Sequence, residues 1–135
     1  MENKLVFVSG KRKTAVAKVK IKNGKGTVFY NGLPYEDLRY LHRLAISEPI
    51  KISEQVLGNF NFDAEIKTFG GGKEGQIQAA RLGLAKALVK ITGNADLKKA
   101  FLAYDKHLLI ADTRRKEAYK PDDSKARAKR QTSYR

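Results

Sequence analysis

Residues 60–91 read FNFDAEIKTFGGGKEGQIQAARLGLAKALVKI, and within them one repeating pattern gives way to another. Apolar and polar residues alternate from Phe60 to Ile66, which is the period of a half-buried strand. From Gln76 to Ile91 the apolar residues follow helical spacing instead, which predicts the main amphipathic helix. Its apolar face comprises Ile77, Ala80, Leu84, Leu88 and Ile91, and Ala79, Lys86 and Lys90 fall opposite. A glycine-rich turn joins the strand to the helix.

The chain before this unit predicts three strands. Leu5–Val8 is the first, and Thr14–Lys22 alternates strictly, with Ala15, Ala17, Val19 and Ile21 on one side and a basic face opposite. Asn23-Gly24-Lys25-Gly26 has the composition of a hairpin turn. We therefore expect Thr27–Tyr30 to return as a third strand beside the second.

Helix signals follow on both sides of the central unit. Glu36 and Asp37 after Pro34 suit a helical first turn, and Leu38, Leu41 and Ala45 supply an apolar stripe that Pro49 should end. Toward the C-terminus, Gly93 can end the main helix, and Asn94 can cap the start of a short helix that follows. The short helix that follows should bury Leu97 and Phe101. Leu108–Ala111 should form a last strand.

The composition changes at residue 112. Residues 112–135 hold nine Lys or Arg and no Leu, Ile, Val or Phe, so they cannot build a core. We expect residues 1–111 to form a globular domain. Residues 112–135 should form an extended basic arm that becomes ordered on a partner.

Composition excludes several functions. With 41% hydrophobic residues in 135, a core can form, and the absence of Cys excludes disulfides, thiolate metal sites and cysteine nucleophiles. No segment approaches about 20 apolar residues, so we expect a cytoplasmic protein that is neither exported nor membrane-spanning. His42 and His107 stand singly, and Asp63 and Glu65 have no partner acid or His. We expect no metal, no cofactor and no catalysis.

The net charge of +14 is segregated along the chain. Residues 3–35 contain eight basic residues and no acid, and residues 124–135 contain five and no acid. Such segregation builds a field that attracts a polyanion, so we expect a nucleic acid rather than merely a solvated face or a membrane. Lys11-Arg12-Lys13 and Lys73 should contact phosphates, and Tyr119 and Tyr134 in the basic arm could stack on nucleotides.

Gly70-Gly71-Gly72-Lys73-Glu74-Gly75 also matches the G-x-G-x-x-G spacing of dinucleotide sites. The preceding strand alternates, whereas a parallel core strand would be almost wholly apolar. In a dinucleotide site an acid follows the glycines by about 20 residues, at the end of the next strand. Here the next acid at a predicted strand end is Asp112, which lies much farther along the chain. A nucleotide-dependent enzyme is therefore a weaker hypothesis than a nucleic-acid-binding protein. A free RNA-binding protein is a third hypothesis. The same turn can still receive an RNA phosphate.

Three motifs carry a family resemblance. The motifs are Gly10-Lys11-Arg12-Lys13-Thr14-Ala15-Val16-Ala17, the Gly70–Gly83 region with Gly75-Gln76 and Ala80-Arg81, and the ending Arg130-Gln131-Thr132-Ser133-Tyr134-Arg135. With these motifs the chain resembles small-subunit ribosomal protein number nine, in its archaeal and eukaryotic branch, whose eukaryotic member is numbered sixteen. The resemblance covers essentially the whole chain, in order.

The resemblance implies an α/β (α+β) two-layer sandwich like the second domain of ribosomal protein number five. Its mixed sheet should have four to five strands with helices on one side. It further implies a non-enzymatic protein on the 3′ major rRNA domain of the small-subunit head, beside other head proteins and not as a homo-oligomer. The C-terminal arm should reach the anticodon stem-loop of peptidyl-site tRNA.

The family roles transfer by position. The residues implied to bind rRNA are Lys11, Arg12, Lys13, Lys73, Arg81, Arg114, Arg115, Lys116, Lys120, Lys125, Arg127 and Lys129. Those implied to contact tRNA are Arg130, Tyr134 and Arg135. Pro121-Asp122-Asp123-Ser124 departs from the family, which tends to have glycine and more basic residues there.

Overall fold

The computed structural model describes residues 5–110, and these form an open five-stranded sheet with three α-helices. The strands are β1 (Leu5–Arg12), β2 (Ala15–Asn23), β3 (Val28–Tyr30), β4 (Leu33–Pro34) and β5 (Phe62–Phe69). The helices are α1 (Tyr40–Leu57), α2 (Lys73–Thr92) and α3 (Ala95–Tyr104), with 3₁₀ turns at Tyr35–Asp37 and Lys106–Leu108. This confirms the predicted α+β class with a mixed sheet. Residues 111–135, including the predicted arm, lie outside the described part of the chain.

The strand order is β1-β2-β5-β3-β4. β5 is antiparallel to β2 and parallel to β3, so it lies between the two strands that we expected to be neighbours. That expectation was wrong, because β5 offers β2 eight paired positions whereas β3 is only three residues long. The predicted turn carries the chain across the end of β5. There, Asp63 accepts hydrogen bonds from the backbone N–H groups of Lys25 and Thr27 and from Thr27 Oγ1, at 3.0, 3.2 and 2.7 Å.

Helix α2 packs against β1 and β2 on one face of the sheet and also contacts α1. The predicted inward residues are buried, but Ala79, which we placed opposite them, is also fully buried. The prediction for Ala79 was wrong because an amphipathic pattern assumes that one helix face is exposed to solvent. Helix α2 instead contacts both the sheet and α1. A Cβ built on Gly10 of β1 would overlap the carbonyl oxygen of Ala79. Glycine therefore allows this close approach of helix to strand.

Helix α1 differs from the sequence prediction at both ends. It starts at Tyr40, since Glu36 and Asp37 form the preceding 3₁₀ turn, and it continues through Pro49 to Leu57. Proline removes one backbone hydrogen bond from a helix interior. Pro49 is nevertheless buried, and tertiary packing of the turns on either side of it keeps the helix continuous. Leu41, expected in the apolar stripe, is 73% exposed.

The predictions for α3 are confirmed, and the prediction of a last strand is wrong. Gly93 ends α2 at φ 63°, and the side chain of Asn94 accepts from the N–H groups of Asp96 and Leu97. Leu97 and Phe101 are fully buried. Leu108 is buried in a 3₁₀ turn rather than a strand, because the Asp105 side chain caps that turn by accepting from the N–H of His107. No helix within residues 5–110 is long and apolar enough to cross a membrane.

Candidate nucleic-acid interface

Two turns that carry predicted phosphate-binding residues lie against each other at one end of the sheet. The β1–β2 turn contains Lys13, and the β5–α2 turn runs through Gly70–Gly72 to Lys73. A Cβ built on Gly70 would lie 2.9 Å from the carbonyl oxygen of Thr14, and one on Gly71 would lie 3.0 Å from Ala15. Both glycines have positive φ, 69° and 63°, which other residues rarely adopt. The predicted strand–turn–helix is therefore confirmed, and its glycines allow the two turns to touch.

The groove between these turns has a volume of about 500 Å³. Its lining includes Lys13, Lys73 and the first turn of α2. The helix starts after Gly72, and no side chain caps the backbone N–H groups of its first turn. Two ammonium groups beside a helix N-terminus form an arrangement suited to phosphate. Glu74 also lines the groove, but it pairs with His42 across 2.8 Å.

The structure separates the three residues of Lys11-Arg12-Lys13. Lys11 is exposed on the sheet face that points away from the helices, and Lys13 is in the turn at φ 55°. Arg12 instead points toward α2, where its Nε donates to Oε1 of Gln78 at 2.6 Å. Lys13 and Arg12 both line the groove together with Lys73, and Lys11 does not.

Arg81, the other predicted rRNA ligand on α2, is held by two protein carboxylates. Its guanidinium lies 2.6 Å from Oε2 of Glu48 on α1 and 3.3 Å from Oδ2 of Asp105 after α3. The side chain is 16% exposed. The pKa of Asp105 is lowered, first by the hydrogen bond from the backbone N–H of His107 and then by the charge of Arg81, against desolvation that raises it. Arg81 thus joins α1, α2 and the segment after α3, and the described structure does not test its predicted RNA contact.

The predicted arm residues have no described position. This applies to Arg114, Arg115, Lys116, Lys120, Lys125, Arg127, Lys129, Arg130, Tyr134 and Arg135, and to Tyr119. Their roles remain predictions. Within residues 5–110, no three His, Asp or Glu side chains are grouped so that they could hold a metal ion.

A second basic surface lies on the outer side of the sheet, and the sequence predicted only part of it. Lys18, Lys20 and Lys22 of β2 are exposed there, and Lys67 of β5 lies opposite Lys18. The alternation of β2 had indicated a basic outer face, but it could not show that β5 would add a further lysine. Phe7 on β1 is 64% exposed on the same side.

Comparison with known proteins decides the family. The family model described as "Ribosomal protein S9/S16" matches residues 10–135, which includes both turns and the basic C-terminal segment. The chain belongs to the ribosomal protein S9/S16 family. This confirms the resemblance found in its sequence motifs.

Relatives in the S9/S16 family align along almost their full length. A protein of Methanococcus maripaludis strain S2 is 42% identical over 136 residues, which cover 98% of this chain and 99% of the relative. A protein of Methanococcus vannielii is 40% identical over the same coverage. Both are named small ribosomal subunit protein uS9. Family membership therefore makes this chain a structural constituent of the small ribosomal subunit.

Proposed function

We propose that this S9/S16 protein has no catalytic activity and binds 16S-type rRNA of the 3′ major domain in the subunit head. The observation that carries the proposal is the match over residues 10–135, which spans the globular domain and the basic arm together. The net charge of +14 supplies the attraction for rRNA. The protein works as one copy, bound to cytoplasmic ribosomes beside other head proteins.

Lys13 and Lys73 are the first phosphate ligands of the globular domain in this proposal. They flank one groove of about 500 Å³ at the start of α2. The helix dipole adds a favourable field for an anion at this position. Lys11 and Arg12, which precede the turn on opposite faces of β1, extend the contact. Arg81 is assigned instead to holding α1 and Asp105 together, because both carboxylates already engage its guanidinium.

The C-terminal arm has a separate role. Arg114, Arg115, Lys116, Lys120, Lys125, Arg127 and Lys129 bind rRNA along its length. Arg130, Tyr134 and Arg135 contact the anticodon stem-loop of peptidyl-site tRNA. The support for this division is the composition of the arm, which has charge for RNA but no residues for a core of its own.

A nucleotide-dependent enzyme on the Gly70–Gly75 turn is the competing function. The described fold weakens it, since the strand before this turn is antiparallel to β2 and α2 does not lead into another described strand. A parallel βαβ unit is the usual setting for a dinucleotide fingerprint.

Titration of the full chain separates these functions. We expect tight binding to a transcript of the small-subunit rRNA 3′ major domain, with an affinity that falls linearly on a logarithmic salt scale. We expect no saturable binding of labelled ATP or NAD. Saturable nucleotide binding together with a flat salt response for RNA would reject the proposed function.

A further inference from the structure

The sheet has one face packed against the helices and one face that nothing covers within residues 5–110. We call the uncovered one the outer sheet face. Three phenylalanines on it are exposed: Phe7, Phe69 and Phe29 are 64%, 53% and 40% exposed. Exposed apolar surface marks an interaction site when it is grouped and rimmed by polar residues, and these three rings share one face with charged side chains. The charged residues of this face are Lys11, Lys18, Lys20, Lys22 and Lys67, with Asp63 and Glu65.

The strand register interleaves the lysines with the aromatic rings. Phe7 on β1 is directly opposite Lys20 on β2, and Lys20 is opposite Glu65 on β5. Lys18 Nζ lies 5.5 Å from the centre of the Phe69 ring. Positive charge and open aromatic surface are therefore adjacent along the face, which extends for about 20 Å between the rows of Leu5 and Lys11.

The two carboxylates on this face are already engaged. Asp63 accepts three hydrogen bonds from Lys25 and Thr27, which lower its pKa, the bond from the Thr27 hydroxyl contributing most. Glu65 Oε1 lies 3.7 Å from Nζ of Lys67. The lysines of β2 therefore dominate the field outside the sheet.

Lysines at alternate positions of one strand match a regularly charged partner. The stems of Lys18, Lys20 and Lys22 emerge about 6.6–6.8 Å apart along β2. This resembles the spacing of successive phosphates along an extended nucleotide strand. A protein partner fits less well, because the cores of protein interfaces are depleted in lysine. Open aromatic rings beside lysines are the combination on which single-stranded RNA stacks.

We propose that the outer sheet face binds an unpaired segment of small-subunit rRNA. Its phosphates lie on Lys18, Lys20 and Lys22, and its bases stack on Phe7 and Phe69. The inference rests on the proposed function and deepens it, because it assigns a second RNA site on the opposite side of the sheet from α2. It also assigns a binding role to residues that the sequence motifs did not include.

The first test removes charge from the outer sheet face of the full chain. The variant Lys18→Gln/Lys20→Gln should reduce the salt slope of binding to the rRNA transcript by about 1.4, since each phosphate contact on a single strand contributes about 0.7. Lys98→Gln/Lys99→Gln on α3 is the matched control, with the same loss of charge at two exposed lysines elsewhere. Equal slopes for the two double variants would overturn the inference.

The second test removes an aromatic surface without changing charge. Phe7→Ala should weaken binding about 5- to 160-fold if a base stacks there, whereas Phe7→Tyr should bind nearly as the native chain. Tyr104→Ala is the control, because Tyr104 is an aromatic residue on α3 that is 57% exposed. Thermal unfolding of each variant checks that the fold is intact. Equal affinity of the Phe7→Ala and Tyr104→Ala variants would contradict stacking.

A photo-crosslinking amino acid in place of Phe7 identifies the occupant in assembled subunits. An adduct to rRNA supports the inference, and an adduct to a neighbouring protein, or no adduct, overturns it. If the native chain binds the transcript but all outer-face variants bind as their controls do, this inference is overturned and the proposed function is not. Native chain that fails to bind the transcript would overturn the proposed function as well.

Discussion

Gly10 of β1 and Gly83 of α2 lie in direct backbone contact. A Cβ built on Gly10 would lie 2.6 Å from the backbone nitrogen of Gly83, and one on Gly83 would lie 2.7 Å from Cγ2 of Val19. No side chain fits between strand and helix at this point. The pair sets how closely α2 packs on the sheet, and thereby where the Lys73 end of the helix meets the Lys13 turn.

The Gly10→Ala variant should be destabilised because the added methyl group overlaps backbone atoms that cannot move independently. We expect a loss of about 1–3 kcal/mol or more in the free energy of unfolding, measured by urea denaturation. Gly75→Ala is the control, since its Cβ would be at an ordinary 3.5 Å from Ala15 and alanine favours a helix. A Gly10→Ala variant as stable as Gly75→Ala would contradict the described packing.

Lys73→Gln should weaken RNA binding without weakening the fold. Loss of one phosphate contact lowers the salt slope for the rRNA transcript by about 0.7–0.9. Lys90→Gln, at the other end of the same helix, removes the same charge away from the groove and should leave the slope unchanged. The same slope change in both variants would show that Lys73 acts only through net charge.

Arg81→Gln should weaken the fold without weakening RNA binding. It leaves the Glu48 and Asp105 carboxylates without their cation, so we expect a loss of about 1–3 kcal/mol in the free energy of unfolding. A double-mutant cycle with Glu48→Gln should show coupling between the two residues. The salt slope for RNA should stay near that of the native chain. A reduced slope with unchanged stability would restore Arg81 to the set of RNA ligands.

The stability of the fold should fall in acid partly through Asp63. Its pKa is lowered from 3.8 by hydrogen bonds that exist only in the folded chain. The contribution is therefore complete above that unfolded value and is lost as pH falls through the lower folded value. Urea midpoints between pH 7 and pH 3 should decline less steeply for Asp63→Asn than for the native chain. Glu65→Gln controls for loss of a negative charge from the same strand, and equal declines in all three proteins would refute the assignment.

Deletion of Tyr134 and Arg135 should separate assembly from tRNA binding. The globular domain and most basic residues remain, so we expect near-normal incorporation into small subunits. Binding of tRNA to the peptidyl site of those subunits should be weaker, as measured by filter binding. Replacement of Arg135 alone by Lys, which retains the charge, should have a smaller effect. Failure of the truncated chain to assemble would contradict this division of roles.

Local patterns in the sequence predicted the local structure well. Period-2 alternation located β2 and β5, and the Gly93-Asn94 pair located the boundary between α2 and α3. These features depend on residues that are close in the chain. The basic turn and the glycine turn were likewise recognised as phosphate-binding candidates from their own residues.

The errors arose where distant segments decide the outcome. Insertion of β5 beside β2 depends on pairs from Asn23 with Phe62 to Val16 with Phe69, which lie far apart in the chain and which the Asn23–Gly26 turn signal does not report. Burial of Ala79 depends on the close approach of α2 to β1 at Gly10, and continuity of α1 through Pro49 depends on the burial of that residue in the core. For the same reason the sequence did not show that Arg81 would meet Glu48 and Asp105, or that Lys67 would join the lysines of β2.

The stoichiometry of this protein in small subunits after a high-salt wash tests whether it is an integral part of the subunit. Ribosomes from a native lysate are washed, dissociated at low magnesium and separated on a sucrose gradient, and the protein is quantified in each fraction. We expect about one copy per small subunit, retained through the wash. Release by the wash, or migration at the top of the gradient, would contradict it.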